Sequence, residues 1–482
     1  MTPARSARPT PGRYIKDILG QAWPVLVSSW ASVIFGVIDT AMAGHASAAD
    51  LQAMALGASI YITVFVGLMG VVHALIPIIA QHFGAGRHRE VGEAWGQGVW
   101  LSMGLSLVGA AAMLFPDVWL RFSGDVAPEV RSGVTWYLRA LIMALPATLA
   151  FRCIYAMGTA VSRPKTVMVI NLGSVAFKIL FNWIFIFGKL GMPALGAAGA
   201  GLSTAIVGWL SLAAGLWAIS RDSYFQRFRP RLGRFQWTRQ KELLLLGIPM
   251  GGSYLIEVCA FTFMALLVAR EGMYVNGGHQ IMASLAALCY MVPMAVGIAS
   301  SSLTAQAIGA RDMRRARNMG RAGIGIVAAG ALVTASVLIV ARRPILGFYT
   351  DDVQVALVAA ALMQILPWFH LGDAMQCIIS YLLRAYKVAV VPLILQVVAL
   401  SGLGLVGGWW LGFGPAAGAL APVVHAVAPG APIGAGTMWL MAILGLSLSS
   451  ILLFGWYGHV VRTKMGGRRG RALRGGRSPS GA

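Results

Sequence analysis

The sequence predicts an all-α integral membrane protein of about twelve transmembrane helices, built as two six-helix repeat lobes. Three observations carry this prediction. The 482 residues are 58% apolar and only 11% charged, with a mean hydropathy of +0.73, whereas a soluble domain carries roughly 25% charge. The net charge is +22, placed in clusters between apolar runs. A segment near Ala80 returns near Ala305.

Apolar runs of about 20 residues are what roughly 30 Å of hydrocarbon requires of a helix. They place helices near 18–43, 52–80, 95–116, 133–161, 166–188, 197–219, 243–269, 278–306, 322–341, 354–382, 388–413 and 432–459. The first follows Arg5, Arg8, Arg13 and Lys16, the charge order of a signal peptide. Its apolar stretch is long and no A-x-A site closes it, so it reads as a retained helix. The third contains the uncharged run Leu101 to Phe115, and no Lys, Arg, Asp or Glu occurs from Val388 to Gly430. With the N-terminus inside, cytoplasmic segments hold 29 of the 38 Lys and Arg, the positive-inside asymmetry. The densest runs, Arg221 to Lys241 and Arg462 to Arg477, then face the cytoplasm, where anionic lipids attract them. The basic charge is thus a matter of topology, and a nucleic-acid role is set aside. Cys153, Cys259, Cys289 and Cys377 lie inside predicted helices with no CxxC spacing, which gives disulfide or zinc readings nothing to stand on.

The repeat defines the organisation. AQHFGAGRHR begins at Ala80 and AQAIGARDMR at Ala305, an offset of 225 that also pairs Pro24 with Pro249 and Ala58-Ser59 with Ala283-Ser284. A second match, at offset 221, pairs LP at Leu145 with LP at Leu366 and Arg163 with Arg384; GAG at Gly199 answers GAG at Gly434. The expected divisions are a cytoplasmic tail (1–17), a first lobe (18–220), a basic cytoplasmic linker (221–242), a second lobe (243–460) and a disordered basic tail (461–482). Six helices between matching ends preserve orientation, so the halves are parallel repeats, which bind substrate between them near mid-membrane.

Ionisable groups inside the membrane are the functional candidates. Asp39 in the first helix, Glu257 in the seventh and Asp373 in the tenth are the acids that qualify. At 1.5 Å per residue, Asp39 lies roughly 30 Å and Glu257 roughly 20 Å from the inner ends of their helices. Each is expected to bind a cation and alternate its access. By the offsets, Asp373 answers Arg152, Glu257 answers Ser32 and Asp39 answers Met264, so the acids are not symmetry copies. Asn182 and Lys178, one turn apart on the fifth helix, share a face at a depth comparable to Asp39. Lys178 either pairs with Asp39 as a tethered cation or snorkels. Arg152 reads as structural, and His73 and His370 as packing residues. Trp30, Phe35, Tyr254 and Tyr381 stand near the acids as candidate walls for flat cations.

These residues carry a family resemblance. IDTAMAGHASAADLQAMALGASI (Ile38 to Ile60) with the loop at Ala80 resembles the opening of the multidrug and toxic compound extrusion (MATE) family, NorM-type branch. NWIFIFGKLGMPALGAAGAG from Asn182, IEV around Glu257, GHQI from Gly278 and D-x-x-Q with LLRAYK from Asp373 to Lys387 are similar to later family segments. The resemblance implies two six-helix lobes in a V with a central cavity. It implies multidrug efflux by antiport of organic cations against Na+ or H+. It places the family's first-helix acid and fifth-helix Asn on Asp39 and Asn182, and its second-lobe cation-site acids, with Na+ as one occupant, on Glu257 and Asp373. Tyr254 and Lys178 join Asn182 as support. Two departures stand out: Lys178 replaces the first Asn of the family's Asn-x-x-x-Asn, and LRAYKVA replaces LRG-x-x-D-T.

No metal or nucleophile constellation points to an enzyme. The rival transporter reading is a flippase for lipid-linked oligosaccharide or other lipid cargo, which calls for a basic cavity. Here Arg152 and Lys178 face three acids, which favours cationic cargo. The expected protein needs no cofactor beyond the coupling ion, works as a monomer among membrane lipids, and sits in a bacterial-type inner membrane with both termini cytoplasmic.

Overall fold

A computed structural model describes the backbone of residues 11–121 and 127–474, and their side chains up to Lys464. The expected tails at 1–10 and 475–482 lie outside these residues. The described chain is helical throughout, without strands. Its long helices are α1 (Pro11–Ala46), α2 (Ala48–Gly84), α3 (His88–Leu114), α4 (Pro128–Ala160), α5 (Pro164–Phe187), α6 (Gly196–Arg221), α7 (Trp237–Glu271), α8 (Met273–Gly309), α9 (Met313–Val340), α10 (Val353–Leu362 with Leu366–Ala385), α11 (Val390–Gly412) and α12 (Ile433–Arg474). Eleven are long and apolar enough to cross a membrane, and α10 makes twelve when its two parts, bent by 52°, count as one span. The chain is a multi-pass membrane protein.

Local chemistry sets the ends. Pro128 and Pro164 occupy the first turns of α4 and α5, where a missing N–H costs nothing. The Ser47 side chain caps α2 by accepting from Asp50 N at 3.0 Å, as expected of Ser at that position. Two pairs of helix ends close on the same turn. Arg87 N donates to His82 O and Asp312 N to Ala307 O; Arg163 N donates to Gly158 O and Val388 N to Leu383 O. The residue inside each turn is left-handed: Gly86 at φ +73°, Arg311 at +62°, Ser162 at +63° and Lys387 at +58°. This is the Schellman closure, and both pairs are 225 residues apart.

That spacing corrects one expectation. The offset at the end of α4 and α10 is 225, not 221, because both helices run unbroken from their LP steps into matching caps. Asp373 therefore answers Thr148 rather than Arg152, and Arg163 answers Val388 rather than Arg384. A second correction concerns the end of the chain. Helix α12 continues to Arg474 instead of giving way to disorder after 460. No proline intervenes there, and Met, Arg, Ala and Leu favour helix enough to carry a few glycines at about 1 kcal/mol each.

Contacts divide the chain into Gln21–Val258 and a second unit made of Cys259–Ala482 with Met1–Gly20. In the first, α2, α4 and α6 meet over a core containing Met54, Leu138, Leu141, Leu145 and Ala200. Tyr137 on α4 covers Gly57 of α2 so closely that a Cβ there would strike its ring. The basic segment after α6 belongs to this unit. Its carbonyls at Phe228 and Arg231 press on Gly92 and Gly96 of α3. Gln97 of α3 donates to Arg234 O at 2.7 Å and accepts from Gln236 N at 3.0 Å. In the second unit Trp439 of α12 is fully buried against Phe369 and His279, with ring centroids 5.0 and 5.7 Å away. Helix α11 widens to π-helical geometry over Val397–Val406, where it lies close to Gly445 of α12.

Candidate functional site

Helices α1, α5 and α6 bring three of the expected residues to one point. Asp39 Oδ1 accepts from Asn182 Nδ2 at 2.7 Å and lies 2.9 Å from Lys178 Nζ. Lys178 and Asn182 are fully buried. The ammonium also donates to Thr204 Oγ1 and, at 3.1 Å, to Ala200 O. The sequence brings them together because Lys178 and Asn182 stack on one face of α5, while Ala200 and Thr204 stack on the facing turn of α6. Of the two roles open to Lys178, pairing is the one observed. A side chain with three donors finds three acceptors within the protein and has no need to reach for water.

The constellation sits beside an open cavity of about 730 Å³ lined by residues of α1, α2, α4, α5 and α6. Asp39, Tyr61, Phe65, Tyr137, Arg152 and Thr204 are among the residues lining it. Phe35 also lines it, as expected, whereas Trp30 is absent from its wall and 44% exposed. The half-buried Arg152 guanidinium lies over the rings of Phe65 and Tyr155, at 5.6 and 5.7 Å from their centroids. A row of rings continues from Tyr155 to His73 (5.7 Å) and on to Tyr254 of α7 (6.2 Å). Tyr254 is buried there against Gly70, and Glu257 follows it by three residues on the half-buried stretch of α7.

Asp373 belongs to the second unit, half-buried on α10, with His370 one turn earlier and buried. Tyr381, on the same helix, is buried against Gly297, its ring 4.5 Å from the Arg384 guanidinium. At offset 225 the counterparts of Glu257 and Asp373 are Ser32 and Thr148, and both line the first unit's cavity. The two repeats thus place neutral hydroxyls in one half where the other has carboxylates.

Sequence reasoning passed over two further carboxylates. Asp50 Oδ1 accepts from Ala197 N at 2.8 Å, at the start of α6. Glu271 accepts from Gly434 N and Ala435 N at 2.9 and 2.7 Å, at the start of α12. Each anchors the sixth helix of its repeat, where exposed N–H groups attract negative charge. The signal available was S-x-x-D at Ser47, a capping-box pattern; Glu271 had none.

Comparison with known proteins sets this geometry in context. The MatE family model matches the chain twice, over residues 24–184 and 249–410. The chain belongs to the MatE family. The two matched segments begin at Pro24 and Pro249, the prolines inside α1 and α7. The chain is 37% identical over 449 residues to the Aromatoleum aromaticum protein named "Probable multidrug resistance protein NorM", covering 91% of this chain and 93% of that one. It is 30% identical to the Photorhabdus laumondii "Multidrug resistance protein MdtK", over 92% and 95%. Among solved structures, the eukaryotic MATE transporter AtDTX14 superposes with a TM-score of 0.83 at 18% identity, covering 94% of this chain and 98% of that one. The bent form of the Vibrio cholerae MATE transporter VcmN gives 0.80 at 16% identity, over 94% and 98%. The MatE fold accounts for the all-helical architecture predicted from composition and repeat.

Proposed function

We propose that this chain is a secondary active multidrug efflux transporter that exports organic cations by antiport against Na+ or H+. The observation that carries the reading is the buried constellation of Asp39, Lys178 and Asn182 in a membrane-spanning member of the MatE family. A carboxylate in hydrocarbon is costly unless compensated, and here an ammonium of the same chain compensates it. Protonating Asp39 breaks that ion pair, while Lys178 keeps Ala200 and Thr204 as acceptors. The constellation then has two arrangements that differ in charge, and a ligand with unequal affinity for them shifts the conformational balance.

In this reading Lys178 is the resident cation of Asp39. The exchangeable coupling ion is carried by Glu257 and Asp373, whose counterparts in the other repeat are uncharged. Relatives over nine-tenths of the chain are named multidrug resistance proteins, which supports extrusion of small organic compounds over the flippase reading. The protein acts as a monomer in the inner membrane with both termini cytoplasmic. It requires no cofactor and catalyses no covalent step.

The test is energised export of ethidium from cells lacking their own pumps, with and without Na+. Wild type should export, Glu257→Gln and Asp373→Asn should insert without exporting, and the Na+ dependence names the ion. Full export by both variants removes these acids from the coupling step.

A further inference from the structure

We propose that the stretch between α6 and α7 holds the phosphate of an anionic phospholipid, in a recess where Arg229 and Arg231 grip it. Composition alone gives a diffuse attraction between basic runs and anionic lipid; the structure narrows it to one place. An open recess of about 540 Å³ is lined by Ile219, Ser220, Gln226, Arg229, Pro230 and Arg231. The first two belong to the last turn of α6, and the described wall includes no carboxylate.

The arginines of this stretch have different commitments. The Arg227 guanidinium rests on Tyr224 and Phe228, 3.8 and 4.7 Å from their ring centroids. Arg239 pairs with Glu93 at 3.0 Å. Arg229 and Arg231 are exposed and, among the described residues, form no ion pair. Their planar forks match phosphate oxygens. The backbone that carries them is fixed beforehand. Arg229 is left-handed at φ +48°, unusual for a residue with a side chain, and its N–H donates to Gln226 O at 2.9 Å. Phe225 and Phe228 just before it are buried, and the carbonyls of Arg229 and Arg231 press on Gly92 and Gly96. A ligand then has only side chains to order, which keeps the entropic cost of binding low.

The surroundings favour a lipid over a free phosphate ion. Leu216 and Trp217 are exposed on α6, on the face of Ser220 one turn before it, and give an acyl chain an apolar path away from its headgroup. On the far side of the arginines Phe235 and Trp237 are exposed, with ring centroids 6.4 Å apart, and Phe235 meets Trp100 of α3 at 6.4 Å. Exposed aromatic rings at the ends of spanning helices mark the headgroup level of a bilayer. The basic recess thus lies at the depth where a phospholipid carries its phosphate.

The test is lipid binding to purified full-length protein, measured by native mass spectrometry with dioleoylphosphatidylglycerol and dioleoylphosphatidylcholine. These share their chains and phosphate and differ in net charge. Wild type should prefer phosphatidylglycerol. Arg229→Gln/Arg231→Gln should weaken phosphatidylglycerol binding about tenfold or more and leave phosphatidylcholine unchanged; Arg229→Lys/Arg231→Lys, which keeps the charge but not the forks, should lose less. Arg314→Gln/Arg315→Gln removes the same charge from exposed positions at the start of α9 and should change neither lipid. Equal affinity of wild type for the two lipids overturns the proposal, and this comparison needs no variant to fold. An equal loss in the Arg314/Arg315 variant overturns it too, because the attraction is then diffuse. Inorganic phosphate separates the sources: if millimolar phosphate displaces phosphatidylglycerol from wild type, the site belongs to a soluble anion and the lipid assignment falls, whereas retention supports it. Ethidium export enters none of these readouts, so this proposal and the transport reading stand or fall separately.

Discussion

Lys178 Nζ lies 2.9 Å from Asp39 Oδ1, with the two side chains 1% and 13% exposed. The pair joins α1 to α5 and is buttressed by Asn182 one turn further along α5. Its removal has consequences on both sides, because each partner is the other's compensation.

Lys178→Met should strand the Asp39 carboxylate and cost about 3 kcal/mol or more, the usual penalty for halving a buried ion pair. Asp39→Asn should strand the ammonium in the same way. The double variant Asp39→Asn/Lys178→Met should melt above either single one, because replacing both charges removes the unpaired one. Melting temperatures of the three proteins in detergent decide the matter; simple addition of the two losses would mean the groups do not compensate each other.

The anchoring carboxylates give a second expectation. Asp50→Ala and Glu271→Ala each remove an acceptor from a helix start, at a cost of about 1 kcal/mol. Asp50 serves one amide of α6 and Glu271 two of α12. Glu271→Ala should therefore lower the melting temperature more, and amide exchange at Gly434 and Ala435 should quicken. Slower exchange at Ala197 than at Ala435 in the respective variants would fit this order; equal protection in variant and wild type would remove the anchoring role.

The connecting segment offers a third. A side chain at Gly92 or Gly96 would collide with the carbonyls of Phe228 or Arg231. Gly96→Leu should push the segment off α3 and break the Gln97 hydrogen bonds to Arg234 and Gln236. Trypsin should then cut after Arg231 or Arg234 faster than in wild type. An unchanged digestion pattern would show that the segment has room to spare.

Much of the fold was legible because hydrocarbon imposes length and apolarity on every span, and these are visible residue by residue. The helix 1 to helix 2 register was legible because Pro24, Pro249 and the loops at Ala80 and Ala305 repeat without a gap. The later register was misread because an LP step is short: Leu145 lies inside α4, whereas Leu366 begins the second part of α10. Backbone closure at Ser162 and Lys387 restores the match, and left-handed geometry at Ser and Lys leaves no mark in the sequence. At the site, Asp39, Lys178 and Asn182 announced themselves as polar groups in apolar runs. Thr204 did not, since a hydroxyl in a helix ordinarily bonds its own backbone, and only its meeting with Lys178 gives it a second role.

The close fit of the connecting segment to α3 also bears on where this gene tolerates change. A chain of two duplicated halves invites the idea that the stretch between them is slack and freely rewritten. Here that stretch is pinned, and α7 carries the polypeptide across the division at Val258 and Cys259. One residue added to α7 before Glu257 turns that carboxylate by about 100° around the helix axis, at 3.6 residues per turn. Length variation should therefore be scarcer in α7 than its position between two copies of a repeat would suggest.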